Sequence, residues 1–218
     1  MNILIASATL SEIEPLLNKI EVIQNFNNAV IEAEFTKSRL TFFITGVGMT
    51  AMGYSMGKAL NENYDIAFNI GIAGSFTKNL ELGKVVNVTH DIFSELGAED
   101  GDRFLTLRDL KLQDNSEVNN NSSIKNSVIE KLPKVLGITV NTAHGNEGSI
   151  KKIVERLEPD VESMEGAAFM FACKKESLPF AQIRSISNFV DRRNKGNWNI
   201  PLALENLSNT MIEIIEEL

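Results

Sequence analysis

Apolar positions along the chain switch between two periods, one suited to strands and one to helices. The opening "NILIASA" is a short apolar run of the kind a buried strand presents. After it, Leu10, Ile13, Leu16, Leu17 and Ile20 recur every three or four residues, the spacing of one face of a helix. Strand-like runs return at residues 30–35, 40–45, 66–72, 85–89, 137–141 and 181–187. Helical spacing fits residues 49–61, 122–132, 149–157, 164–176 and 202–218. Strands alternating with helices predict an α/β fold, a central mixed twisted sheet with helices on both faces. The runs at 30–35 and 40–45 are joined too briefly for a crossover and are predicted as a hairpin. "LQDNSEVNNNSS", residues 112–123, is polar and Asn-rich and is predicted as a solvated loop, with closure over a ligand left open. No internal repeat and no Pro/Gly/Ser-rich linker interrupts the pattern, so the 218 residues are predicted to form one domain, 1–218.

Charge narrows the partners. The formal net charge of -8 works against nucleic acid and anionic membrane, because phosphate is gripped by clustered Lys and Arg, and the one basic cluster is Arg192, Arg193 and Lys195. The lone Cys173 lies in the apolar "AAFMFAC", which predicts a buried thiol without a disulfide and a reducing compartment. The start "MNILIASATL" has no basic leader, and nowhere do 18 apolar residues follow one another. The expectation is a cytoplasmic protein with no membrane span.

Several short stretches could carry chemistry, and each has a structural alternative. "TGVGMTA", residues 45–51, follows a strand and opens a helix as a dinucleotide-binding turn does, but the next strand ends "NIGIAG" without the ribose-binding acid. Gly46 and Gly48, with Gly71 and Gly74 in the second stretch, are then places where backbone approaches another group, and they predict one pocket at the carboxyl edge of the sheet. Glu12 fits a capping box with Thr9, and Glu165 stands at a helix start where any carboxylate is favoured. Both also sit where a strand hands over to a helix, so one sheet edge could hold them face to face. His144 in "NTAHGNEGS" reads as a surface turn, and with only His90 and Cys173 as companions no metal-ligand set is expected. "IRSISNFVD", residues 183–191, is an apolar run ending on Ser187 and Asn188, which either cap the next turn or face a ligand.

Taken together, "VESMEGAAF", "NIGIAGSF", "TGVGMTA" and "RSISNFVD" resemble the purine nucleoside phosphorylase and nucleosidase superfamily, in order and over the whole chain. Within it, "NTAHGNEGSI", "ELGAEDG", "ESMEGAA" and "ISNFVDRRNKGNW" are most similar to the futalosine hydrolase branch. The resemblance implies a cofactor-free nucleosidase that cleaves the N-glycosidic bond of futalosine, releasing hypoxanthine and dehypoxanthine futalosine in the alternative menaquinone pathway. It implies Glu12 as the base that positions water and Glu165 as the carboxylate on the ribose 2′ and 3′ hydroxyls, with Met164 beneath the sugar. Gly48, Ile72, Gly74 and Ser187 fall on the pocket wall, and Trp198 on an aromatic that closes it. Asn188 departs from the Asp of adenine-specific relatives: an amide offers N–H to O6 and C=O to a protonated N7, which suits a 6-oxopurine. An amide is no general acid, so the leaving-group proton would come from water or from Asp191. The benzoate of futalosine calls for a cation, with Arg193, Arg192, Lys195 and Arg103 as candidates. Self-association into a homodimer or larger homo-oligomer is also implied. The competing readings are a methylthioadenosine or S-adenosylhomocysteine nucleosidase, against which Asn188 argues, and a non-catalytic nucleoside-binding module, against which the two acids argue.

Overall fold

A computed structural model of the chain describes residues 1–26, 29–60, 63–113, 116–120 and 124–218. The elements in order are β1 (Asn2–Ser7), α1 (Leu10–Leu17), β2 (Glu21–Phe26), β3 (Val30–Phe35), β4 (Ser38–Ile44), α2 (Met49–Ala59), β5 (Ile66–Ser75) and β6 (Val85–Phe93). They continue with β7 (Gly97–Asp100), β8 (Arg103–Thr106), β9 (Glu117–Asn119), α3 (Ser127–Lys131), β10 (Lys134–Thr139), α4 (Glu147–Leu157), β11 (Val161–Ser163), α5 (Gly166–Lys175), β12 (Phe180–Phe189) and α6 (Ile200–Glu216). Ten strands form one mixed sheet in the order β11-β10-β6-β12-β5-β1-β4-β3-β2, with β9 beside β6. β7 and β8 pair apart as a small hairpin.

The α/β architecture with a mixed sheet between helices is the predicted one. In β1 the side chains alternate between two layers. Ile3 and Ile5 join Ile13 and Leu16 of α1 and Leu207 and Met211 of α6, whereas Leu4 and Ala6 join Met52 and Met56 of α2 and Phe169 of α5. Both faces of the strand are thus buried, which is why "NILIAS" is a continuous apolar run rather than an alternating one. The sheet also closes on itself. β11 pairs with β10 on one side and with β5 on the other, so β5, β12, β6, β10 and β11 form a small barrel. Ala73, Val86, Val88, Val135, Val161 and Ile186, drawn from all five strands, fill its interior.

Most differences from the sequence expectation lie in short elements. The hairpin forms as β3 and β4, antiparallel, with Thr36 at φ 56° in its turn. α3 starts later than predicted, because the Asn126 side chain accepts from Ile129 N at 3.1 Å and fixes the first turn there. Residues 122 and 123 of that predicted helix, and residue 61 at the end of the second, lie outside the described residues. The predicted 112–123 loop is partly a strand, β9, and its residues 114, 115 and 121–123 are not described. Cys173 is fully buried in α5, as expected, and burial pushes its thiol pKa upward. Among the described residues no helix is long and apolar enough to cross a membrane.

Candidate active site

The carboxyl ends of the parallel strands β1, β5 and β12 open onto one cavity of about 360 Å³. Its wall includes nine residues that the sequence placed there, Glu12, Ile72, Gly74, Met164, Glu165, Ser187, Asn188, Arg193 and Trp198. Gly48 is the exception. Its φ of 99° is a conformation that favours glycine, and its N–H is turned to Glu165 Oε1 at 2.9 Å instead of to the cavity.

β5 serves as the ruler of the site. At Ile72 its backbone N–H donates to Glu12 Oε1 at 3.1 Å. The other carboxylate oxygen, Oε2, accepts from Thr9 N at 3.0 Å and from the Ser7 and Thr9 hydroxyls, both at 3.1 Å. Glu12 therefore completes the capping box of α1 and faces the cavity with the same carboxylate. One residue before Ile72, a Cβ added at Gly71 would lie 2.5 Å from Arg184 Nη1 and 2.6 Å from Glu12 Oε1. Only a residue without a side chain lets these two groups share that space.

Arg184 is the largest feature the sequence reading passed over. It lies fully buried in β12, its Nη2 hydrogen-bonded to Asn69 Oδ1 and 3.8 Å from Glu165 Oε2. A guanidinium amid the apolar run "FAQIRSISNF" is the signal that could have exposed it, since a buried Arg demands acidic partners. Glu165 stands at the N-cap position of α5, without a side-chain cap bond, and the helix begins at Gly166 rather than at the predicted Met164. Burial raises the Glu165 carboxyl above the usual carboxylate range, opposed by the Arg184 guanidinium and the Gly48 N–H and reinforced by the charge of Glu12. A second buried group supports this end of the helix. Asp91 accepts from Thr139 Oγ1 at 2.8 Å and from Gln182 Nε2 at 3.0 Å, and Thr139 Oγ1 in turn accepts from Ala167 N of α5 at 2.7 Å.

Two residues farther along β5, about 7 Å by strand geometry, Gly74 pairs with Asn188 of β12 on one side and Glu162 of β11 on the other. Asn188 is half-buried and oriented by its neighbours: Ser187 Oγ donates to Oδ1 at 2.7 Å and Nδ2 donates to Phe189 O at 3.0 Å. Each end of the amide keeps capacity for one further hydrogen bond, and the residue lines the cavity. His144 is not the surface turn expected. Its side chain is 13% exposed, it lines the cavity, and its Nδ1 lies 2.7 Å from Glu162 Oε2. The partner that draws it inward is 18 positions away in a three-residue strand, beyond the reach of local pattern.

At the mouth, the Arg193 guanidinium stacks 5.1 Å from the centroid of the Trp198 ring. Asp191 also lines the cavity but is exposed. Arg192 faces a separate hollow beside α4, and Arg103 lies in an adjoining one that shares His144 with the cavity.

A family model described as the phosphorylase superfamily matches residues 2–218. Among curated relatives, the chain is 24% identical to futalosine hydrolase of Thermus thermophilus over 79% of its length and 80% of that protein. It is 30% identical to futalosine hydrolase of Acidothermus cellulolyticus over 66% of its length and 59% of that protein. Among solved structures, futalosine hydrolase of Helicobacter pylori superposes with a TM-score of 0.85 at 16% identity, covering 100% of this chain and 98% of that one. A 5′-methylthioadenosine/S-adenosylhomocysteine nucleosidase of S. pneumoniae holding a transition-state inhibitor gives 0.85 at 17% identity, covering 100% and 99%. Likeness at these identities extends to the fold.

Proposed function

The chain belongs to the phosphorylase superfamily, and from that premise we propose that residues 1–218 form one nucleosidase domain that hydrolyses the N-glycosidic bond of futalosine. The products are hypoxanthine and dehypoxanthine futalosine, an activity that serves menaquinone biosynthesis by the alternative route. The observation that carries this reading is the pairing of two carboxylates, Glu12 and Glu165, with a carboxamide, Asn188, in one cavity. The names of the curated relatives support the same substrate.

In this mechanism the glycosidic bond lengthens and the ribose gains oxocarbenium character. Glu12 holds the attacking water, and Glu165 binds the 2′ and 3′ hydroxyls over Met164. The two acids outnumber Arg184 beneath them, so the local charge favours the cation. Asn188 Nδ2 donates to O6 of the departing base. Water is preferred to phosphate as the nucleophile because Arg193 is the one Lys or Arg on the described cavity wall, and an anion would ask for several. Arg193 is accordingly the cation of choice for the benzoate.

Two further parts belong to the proposal. A cytoplasmic location accords with the buried free thiol of Cys173. A second copy of the chain covers the groove between α2 and α5, where Phe171 stands 43% exposed, and a monomer in sedimentation at assay concentration removes this part. Substrate choice is decided by incubating the protein with futalosine and with methylthioadenosine. Hypoxanthine release from the first is expected, and release of adenine alone makes the chain an adenine-specific nucleosidase. That second reading shares the fold but lacks a carboxyl at position 188.

A further inference from the structure

The nucleosidase reading leaves one chemical need unmet: a purine leaving as an anion is a poor leaving group, and the carboxamide of Asn188 has no acidic proton to give it. We propose, resting on that reading, that His144, clamped by Glu162, is the acid that protonates the departing purine.

Sheet register places the pair at the base end of the cavity. Gly74 of β5 faces Asn188 in β12 and Glu162 in β11, so carboxamide and carboxylate reach the same sector from opposite sides. A Cβ added at Gly74 would lie 3.2 Å from Asn188 Nδ2 and 3.5 Å from Glu162 Cγ. Glu162 then holds His144 twice, through His144 N at 3.1 Å to Oε1 and Nδ1 at 2.7 Å to Oε2. An ionised carboxylate only accepts, so Nδ1 carries a proton and Nε2 is the ring's remaining polar atom. The Phe76 ring stands edge-on to the imidazole, with centroids 6.1 Å apart and planes at 66°, and fixes its tilt. Glu162 is only 7% exposed and His144 13%, so the clamp is shielded from water, and in its imidazolium form the ring carries a second proton, at Nε2. A carboxylate that orients an imidazole through Nδ1 is the arrangement of the Ser-His-Asp triad, where the other ring nitrogen moves the proton.

The bond from the anomeric carbon to the purine breaks with its electron pair on the base, and a ring nitrogen of the base takes the proton from His144 Nε2. Water adds its oxygen to the anomeric carbon and gives its proton to Glu12. That proton returns to His144 through solvent, so the net change is addition of one water. Glu162 is a positioning residue and His144 the catalytic one.

The test compares futalosine with its N7-methylated derivative, whose base leaves neutral and needs no proton. His144→Asn is expected to slow hypoxanthine release from futalosine by roughly a hundred- to ten-thousand-fold. Release of 7-methylhypoxanthine should stay within about tenfold of the parent's, since the lost contribution is proton transfer alone. Equal losses on both substrates, or no loss on futalosine, overturn the proposal. If the parent releases base from neither substrate, the nucleosidase reading itself has failed and this one falls with it. Should the parent cleave futalosine but reject the methylated form, Glu162→Gln decides: a fall in kcat at constant KM upholds the proposal and a rise in KM alone overturns it. Thermal unfolding of both variants, expected to match the parent within a few degrees, shows that each is folded.

Discussion

Glu12 satisfies two demands with one carboxylate: Oε2 closes the capping box with Thr9, and Oε1 meets Ile72 N at the cavity wall. The cap and the catalytic reading, alternatives in the sequence, are therefore compatible in space. Glu12→Gln separates them by chemistry, because the amide oxygen can still accept from Thr9 N but cannot take a proton from water. Hypoxanthine release should fall by roughly a hundred- to ten-thousand-fold, while the melting temperature stays near the parent's. A variant as fast as the parent would reduce Glu12 to a helix cap. A place on the cavity wall was legible for Glu12 from its neighbours in sequence, and for Asn188 and Trp198 once the motifs were placed. His144 and Arg184 were not. The partners of Arg184, Asn69 and Glu165, lie 115 and 19 positions away in sequence and meet it only through strand pairing and the buried helix start.

At the scale of elements, the long apolar runs read true, and the elements missed were very short or exposed. β5 and β12 each span 10 residues with nearly every position buried, so composition alone marks them. β11, with three residues, is too brief for any period, yet it closes the barrel and carries Glu162. β2 escaped for a different reason: it is an edge strand with Val22 43% and Ile23 53% exposed, so no one-sided alternation marks it. The start of α5 depends on close approach. A Cβ added at Gly166 would overlap Gln182 Nε2 and Asp91 Oδ2, which sit directly beneath the helix. Gly166→Ala must then displace the Gln182 and Asp91 side chains or lift the start of α5, and with it Glu165 and Met164. Overpacking of this kind costs about 1–3 kcal/mol. The expected outcome is a lower denaturant midpoint together with, on the proposed function, a raised KM for futalosine, since the groups proposed to hold the ribose move. Unchanged KM with lowered stability would mean that the helix start absorbs the methyl group without displacing Glu165.

For the molecule as a whole, the group that most distinguishes acid from neutral conditions is Asp91, fully buried in β6 below the site. Burial raises its pKa from 3.8 to about 6, against the hydrogen bonds from Gln182 and Thr139 and the charge of Arg184. The sign of the linkage follows from which state holds the proton. Between these two values the folded chain keeps the Asp91 proton and the unfolded chain has lost it, so folding is favoured on the acid side of the window. The contribution is fully present below 3.8 and is lost as the pH rises through about 6. Its size is on the order of 3 kcal/mol. Other carboxylates titrate over the same range, so the parent alone does not isolate it, but a difference between two proteins does. Asp91→Asn removes this titration while keeping the side chain's shape. Whatever the absolute stability of the variant, its unfolding free energy relative to the parent should improve by about 2–3 kcal/mol between pH 4 and pH 7, measured by urea unfolding. The same relative stability at both pH values would show that Asp91 ionises alike in the folded and unfolded chain, and that the polar layer beneath α5 already compensates its charge.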